Sequence, residues 1–252
     1  MADVIDYTLY GDDMQLVEIE LDPGEGVRAE AGAMVYMGDG IEMQTSAAGG
    51  LFSGFKRMLS GESFFITTFL HAGQGKGHVA FGAPYPGKII PLELDELGGE
   101  FLCQKDAFLC AANGVDIEVA FTKRIGAGLF GGEGFILQRL KGSGRAFIHV
   151  GGTVIRRELR AGEKLRVDTG CLAALSPSVD YDIEFIGGFK NALFGGEGMF
   201  LASLKGPGVV YLQSLPFSRL ADRVLAASGS ANVGESKGIA GSGIFGSLFG
   251  GD

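Results

Sequence analysis

The chain has 252 residues with 44 glycines, no tryptophan, three histidines and a formal net charge of −9. An acidic balance of that size argues against a nucleic-acid partner, because neutralising phosphates takes clustered Lys and Arg, although a local basic groove stays open. The glycines punctuate apolar runs and follow no collagen-like period, which points to short elements joined by tight turns.

In chain order, Leu16 to Leu21 alternates apolar and polar residues and is turned by Asp22-Pro23-Gly24; Val27, Ala29, Ala31 and Ala33 continue a period of two. That spacing predicts half-buried strands. Segments 63–70 and 76–81 read as strands around the Gly73-Gln74-Gly75 turn, followed by 88–94, 116–121 and 145–150, then 164–169, 179–185 and 209–215. Strands separated by glycine turns, with hardly any helical spacing, predict all-β units of sandwich or barrel type. One helix is expected at 216–228, with Ser218 as its N-cap, Leu220, Val224 and Ala227 on one face and Gly229 as its stop. Residues 229–252 read as a Gly/Ser-rich tail.

A repeat organises these elements. Leu129-Phe130-Gly131-Gly132-Glu133-Gly134 returns as Leu193-Phe194-Gly195-Gly196-Glu197-Gly198, an offset of 64 residues. On the same offset Asp116 meets Asp180, Phe121 meets Phe185, Leu140-Lys141-Gly142 meets Leu204-Lys205-Gly206, and Gly144 meets Gly208. A looser first copy places Pro23-Gly24-Glu25 against Ala161-Gly162-Glu163 and Gly32 against Gly170. The expected domain plan is therefore three β units at 1–86, 87–151 and 152–215, each of β-sandwich or double-stranded β-helix-like type, in a pseudo-threefold arrangement.

Candidate chemistry is sparse. Gly126-x-Gly128-x-x-Gly131 matches a dinucleotide fingerprint, but too few residues follow it for the helix that would hold a pyrophosphate, so turn glycines are the better reading. Glu62, Glu133 and Glu197 recur at one position: either a ring of carboxylates for a cation or basic partner, or acceptors for turn amides, with the second favoured. His71, His78 and His149 lack metal-ligand spacing, and no Cys-x-x-Cys or nucleophile elbow occurs. No catalytic residue, metal site or cofactor is assigned, and a non-enzymatic role is expected. Cys103, Cys110 and Cys171, odd in number and set in apolar runs, read as reduced buried thiols.

The apolar pairs beside these glycines are the candidate contact residues: Leu51, Phe52 and Phe55 in the first copy, Leu129 and Phe130 in the second, Leu193 and Phe194 in the third. Sharing one rim, they could meet a membrane surface or a hydrophobic partner; folded back, they would plug the ends of the sandwiches. No stretch approaches 18 consecutive apolar residues, and the acidic opening Met-Ala-Asp-Val-Ile-Asp lacks secretory signal order. The expectation is a cytoplasmic protein, with peripheral membrane contact left open.

The repeated loop, fullest at Asn191 to Gly198, together with Ala31-Gly32-Ala33-Met34 and the Gly-Leu-Phe-x-Gly-Phe-Lys-Arg segment, resembles the altered-inheritance-of-mitochondria protein 24 family. The likeness spans roughly residues 1 to 227. It implies units with a fold similar to the subunit of the ring-forming tryptophan RNA-binding attenuation protein (TRAP-like), and a homotrimer. It supplies no catalytic residues. The leading expectation is a ring-like homo-oligomeric scaffold or interaction protein with a protein partner still to be identified. The alternatives are a small-ligand or nucleic-acid binder using grooves between units, and an enzyme with no recognised motif.

Overall fold

The computed structural model describes residues 2–30, 32–45, 66–123, 135–185 and 200–235. The chain divides into two compact units, residues 1–217 and 218–252. The first is all-β and antiparallel in its named pairings. Its strands are β1 (Asp6–Tyr10), β2 (Leu16–Leu21), β3 (Gly26–Glu30), β4 (Met34–Met37), β5 (Ile41–Thr45), β6 (Ile66–His71) and β7 (Gly77–Gly82). Next come β8 (Gly87–Glu93), β9 (Glu100–Gln104), β10 (Phe108–Ala112), β11 (Asp116–Lys123), β12 (Phe135–Lys141) and β13 (Arg145–Gly151). The last six are β14 (Val154–Leu159), β15 (Lys164–Asp168), β16 (Leu172–Leu175), β17 (Asp180–Phe185), β18 (Phe200–Lys205) and β19 (Gly208–Gln213).

Four sheets result, ordered β1-β2-β7-β4, β5-β6-β3-β10-β13-β8, β11-β12-β9-β16-β19-β14 and β15-β18-β17. One pairing order recurs along the chain. In each run of six strands beginning at β2, β8 and β14, the first, sixth and third strands form one triplet and the second, fifth and fourth form another. The two six-stranded sheets arise because the second strand of one run pairs with the third strand of the next, as β3 does with β10 and β9 with β16. Local detail recurs too. The pairing of the third with the sixth strand shifts register at Met34/Tyr36, Phe108/Cys110 and Leu172/Ala174. The turn acids aligned by sequence do the same work: Asp22 N–H donates to Glu25 Oε2 at 2.8 Å, and Arg160 N–H to Glu163 Oε2 at 2.9 Å. Gly24 and Gly162, at φ 90 and 78, take the left-handed conformation those turns require.

Two apolar cores lie between the sheets. The first gathers Val17, Ile19, Phe81, Phe101, Cys103, Cys110 and Phe147; the second gathers Leu102, Phe135, Leu137, Leu172, Ile183 and Leu204. In β9, Phe101 and Cys103 face one core while Leu102 between them faces the other, so this sheet is buried on both faces. Strands covered on both faces lose their alternation. Phe-Leu-Cys-Ala-Ala of β10 and Leu-Ala-Ala-Leu of β16 are wholly buried, and no period of two marks them.

The helix α1 (Phe217–Glu235) runs beyond the stop expected at Gly229. No described helix is long and apolar enough to cross a membrane.

Candidate functional site

Most of the residues singled out from the sequence (Leu51, Phe52, Phe55, Glu62, Leu129, Phe130, Glu133, Leu193, Phe194 and Glu197) lie outside the described residues. The histidines can be placed. His71 is buried and ties two turns together, with Nδ1 3.3 Å from the Gly40 carbonyl and Nε2 3.1 Å from that of Gly75. His78 is half-exposed beside Glu18, its Nδ1 3.6 Å from Oε1. His149 lines a cavity. Of the thiols, Cys103 and Cys110 are buried and burial pushes both up, whereas Cys171 is half-buried in the 3-10 turn Thr169–Cys171.

The cavity sits where the first run of strands meets the second, and encloses about 360 Å³. Its walls come from separated places: Glu30 at the end of β3, Ala83-Pro84-Tyr85 between β7 and β8, Asp106 in the 3-10 turn Lys105–Ala107, Phe108 and Leu109 opening β10, His149 in β13, and Phe217. The volume falls in the range of small-molecule sites. Tyr85 meets His149 edge-on at 4.5 Å and Phe217 at 5.4 Å, so three rings line up across one wall.

The electrostatics are unusual. Glu30 is an exposed residue, yet its carboxyl is crowded by protein; burial of that group, with Asp106 adding and Lys105 opposing, pushes it up to about 7. His149 is 2% exposed, and burial pulls its imidazole down to about 4 against an opposing hydrogen bond to the Tyr85 backbone. It is neutral at physiological pH. Its Nδ1 has no hydrogen-bond partner. Burial also raises the Tyr85 phenol, with Asp106 and Glu30 adding to the effect.

The second junction is built differently. Gln213, at the station His149 holds in the preceding run, accepts from Gly151 N–H at 2.9 Å and donates to the Gly170 carbonyl at 2.8 Å. Gly170 and Gly32 occupy the station held at the first junction by Asp106. Among the described residues, no group of three His, Cys, Asp or Glu is placed to hold a metal ion.

A second feature is a pair of sheet edges left open where the equivalent strands elsewhere in the chain are paired. Among the described residues, the outer edge of β4 has no strand partner, although the equivalent strands β10 and β16 are both paired there. At the far end the same holds for β15, whose equivalents β3 and β9 are paired. On β4, Val35, Tyr36 and Met37 are 55%, 43% and 41% exposed, an apolar strand left uncovered.

A layered all-β chain with recurrent strand triplets defines the class, and comparisons narrow it. The family model described as Mitochondrial biogenesis AIM24 matches residues 7–215. An uncharacterised protein of Streptococcus pyogenes serotype M6 is 32% identical over 214 residues, covering 82% of this chain and 84% of that protein. The crystal structure of a Streptococcus pyogenes protein matches with a TM-score of 0.74 at 28% identity, over 88% of this chain and 99% of that one. The chain belongs to the AIM24 family.

Proposed function

We propose that this protein is a non-enzymatic, ring-forming homo-oligomer that serves as a scaffold or interaction module. The observation that carries the reading is the complementarity of the two open edges. Inside the chain, second and third strands of neighbouring runs pair twice; β15 and β4 are the second strand of the last run and the third strand of the first, each lacking that partner. A second copy supplies it. Exposed apolar edge strands are otherwise sites of uncontrolled association, so a defined partner is the expected resolution. Head-to-tail contacts of this kind close into rings when the rotation permits.

The internal registers suggest the one between chains. Cys110 pairs with Ala29 and Ala174 with Cys103, so Tyr36 of one chain would lie opposite Val167 of the next. Three runs per chain make a trimer a pseudo-ninefold ring, the size the family resemblance implies. A ring of that kind would serve contact with a protein partner or a membrane surface. Size-exclusion chromatography with light scattering tests the assembly directly. A chain that stays monomeric at micromolar concentration would sink it.

A further inference from the structure

We propose that the outer edge of β14 docks an extended acidic segment of a partner protein, which adds to the sheet as an antiparallel strand. The proposal names a class of partner for the interaction role above. It does not rest on ring assembly, since β14 is distinct from β4 and β15.

The strands β2, β8 and β14 open the three runs at equivalent stations, and the chain closes two of their outer edges itself. Along β2, β1 pairs from Asp6↔Glu20 to Tyr10↔Leu16. Along β8, the Gly87 N–H donates to the Asp13 carbonyl at 2.7 Å and the Ile89 N–H to Gln15 Oε1 at 2.8 Å. The next outward station is Pro91, which has no N–H to offer. On β14 the Ser214 N–H meets the Thr153 carbonyl at 3.2 Å, so Thr153 and Ile155 turn their backbone groups toward β19 and Val154, Arg156 and Glu158 turn theirs outward. Among the described residues, that outward side has no strand partner.

Burial separates the three strands in the same way. Neither β2 nor β8 holds an exposed residue, whereas Ile155, Arg156, Arg157 and Glu158 are all exposed. Arg157 pairs with Val210 where Ile19 pairs with Val79 and Leu92 with Ala146. An arginine thus stands where the earlier runs bury an aliphatic side chain.

Charge decides the occupant. Residues 154–160 carry Arg156, Arg157 and Arg160 against Glu158, a positive excess on a chain of net charge −9. Arg156 Nη1 lies 3.9 Å from Glu158 Oε2 with both side chains in solvent, a pair too weak to satisfy it, and Arg157 has no ion pair among the described residues. A second β14 is a poor occupant: antiparallel pairing centred on either arginine, or between them, sets arginine against arginine. An acidic strand answers both the charges and the free backbone groups, whereas a nucleic acid answers only the charges. In the register of β1 on β2, the docked strand sets acidic residues opposite Arg156 and Arg157. It sets an apolar residue opposite Ile155, as Leu9 stands opposite Val17.

The test is fluorescence anisotropy of the full chain with a labelled Thr-Thr-Glu-Glu-Val-Thr-Val peptide. Controls are the same peptide with both glutamates changed to lysine, and a single-stranded oligouridylate. The expected result is saturable binding, with the lysine peptide and Arg157→Glu each weaker by about tenfold. Arg156→Pro copies the blocked edge of β8 and should abolish binding, while Arg156→Ala, which keeps the N–H, should retain part of it. Should Arg156→Pro fail to fold by circular dichroism, Arg157→Glu at its exposed position decides alone. No saturable binding, equal binding of the lysine peptide, tighter binding of the oligouridylate, or unchanged affinity in Arg157→Glu or a folded Arg156→Pro would overturn the proposal. Met37→Pro, which breaks the ring edge, should leave the peptide affinity unaltered, so failure of the ring and failure of this site read out separately.

Discussion

His149 and Gln213 occupy the same station in successive runs of strands, each beside the residue that opens the register-shifted pairing, yet their side chains end differently. Ile148 and Leu212, immediately before them, pair with Phe108 and Leu172. Gln213 bridges Gly151 and Gly170 with both ends of its amide, whereas His149 leaves Nδ1 without a partner and borders a cavity. One junction is bridged by the hydrogen bonds of an amide, and the other borders a cavity lined by two carboxylates.

Gln213→Leu should destabilise the chain by about 2 kcal/mol, because the buried Gly151 N–H and Gly170 carbonyl lose their partners together. Chemical denaturation should show a lower midpoint with an unchanged slope. An unaltered midpoint would mean that the amide contributes nothing net at that junction.

The pH dependence of stability follows from Glu30. Its folded value of about 7 lies above its ordinary 4.5, so the folded state holds the proton more tightly and stability from this group falls as pH rises from 4.5 through 7. His149 acts oppositely: with a folded value near 4 against 6.5, its contribution is complete above 6.5 and is lost as pH falls toward 4. The groups around Glu30 include Asp106, Lys105, Tyr85 and Cys103. Glu30→Gln removes one slope only. Its melting temperature relative to the parent chain should climb between pH 5 and pH 8, and a constant difference would contradict the assignment.

Phe147 is fully buried in the first core and meets Tyr7 edge-on at 5.0 Å, with the Arg145 guanidinium 4.6 Å from the centre of the same tyrosine ring. Phe147→Ala should cost about 3–5 kcal/mol, the usual range for emptying such a site. Phe147→Leu, which keeps most of the volume, should cost under about 1.5 kcal/mol. Equilibrium unfolding in guanidinium chloride measures both.

The register of the proposed assembly is testable by cross-linking. Tyr36→Cys combined with Val167→Cys should give chain-to-chain disulfides on mild oxidation, because directly opposed residues on antiparallel strands have the spacing a disulfide needs. Neither single variant should cross-link, and moving one cysteine to Leu165 should reduce the yield sharply. Denaturing electrophoresis without reductant reads the outcome.

The sequence made some half-exposed strands legible, and missed others that also meet solvent, such as β1, β14 and β18. Leu16 to Leu21 alternates and is β2, with every second residue buried. It hid β9, β10 and β16, because strands buried on both faces read as plain apolar runs. At the offset of 64, Asp116 and Asp180 open β11 and β17, and Gly144 and Gly208 both take positive φ, 90 and 147. The cavity was not legible, since Glu30, Tyr85, Asp106, His149 and Phe217 converge only through tertiary pairing. A signal was nonetheless present in the departures from the repeat, where Asp106 replaces a glycine and His149 stands against Gln213. The helix outran its expected end because glycine weakens a helix without forbidding it, and Gly229 lies inside α1.

The most direct test of the account is the mass of the full chain in solution by light scattering during size-exclusion chromatography. Edge pairing of β15 with β4 predicts a species with the mass of three chains, reduced to one by Met37→Pro. The mass of a single chain for the unaltered protein, or a trimer indifferent to that substitution, would contradict it.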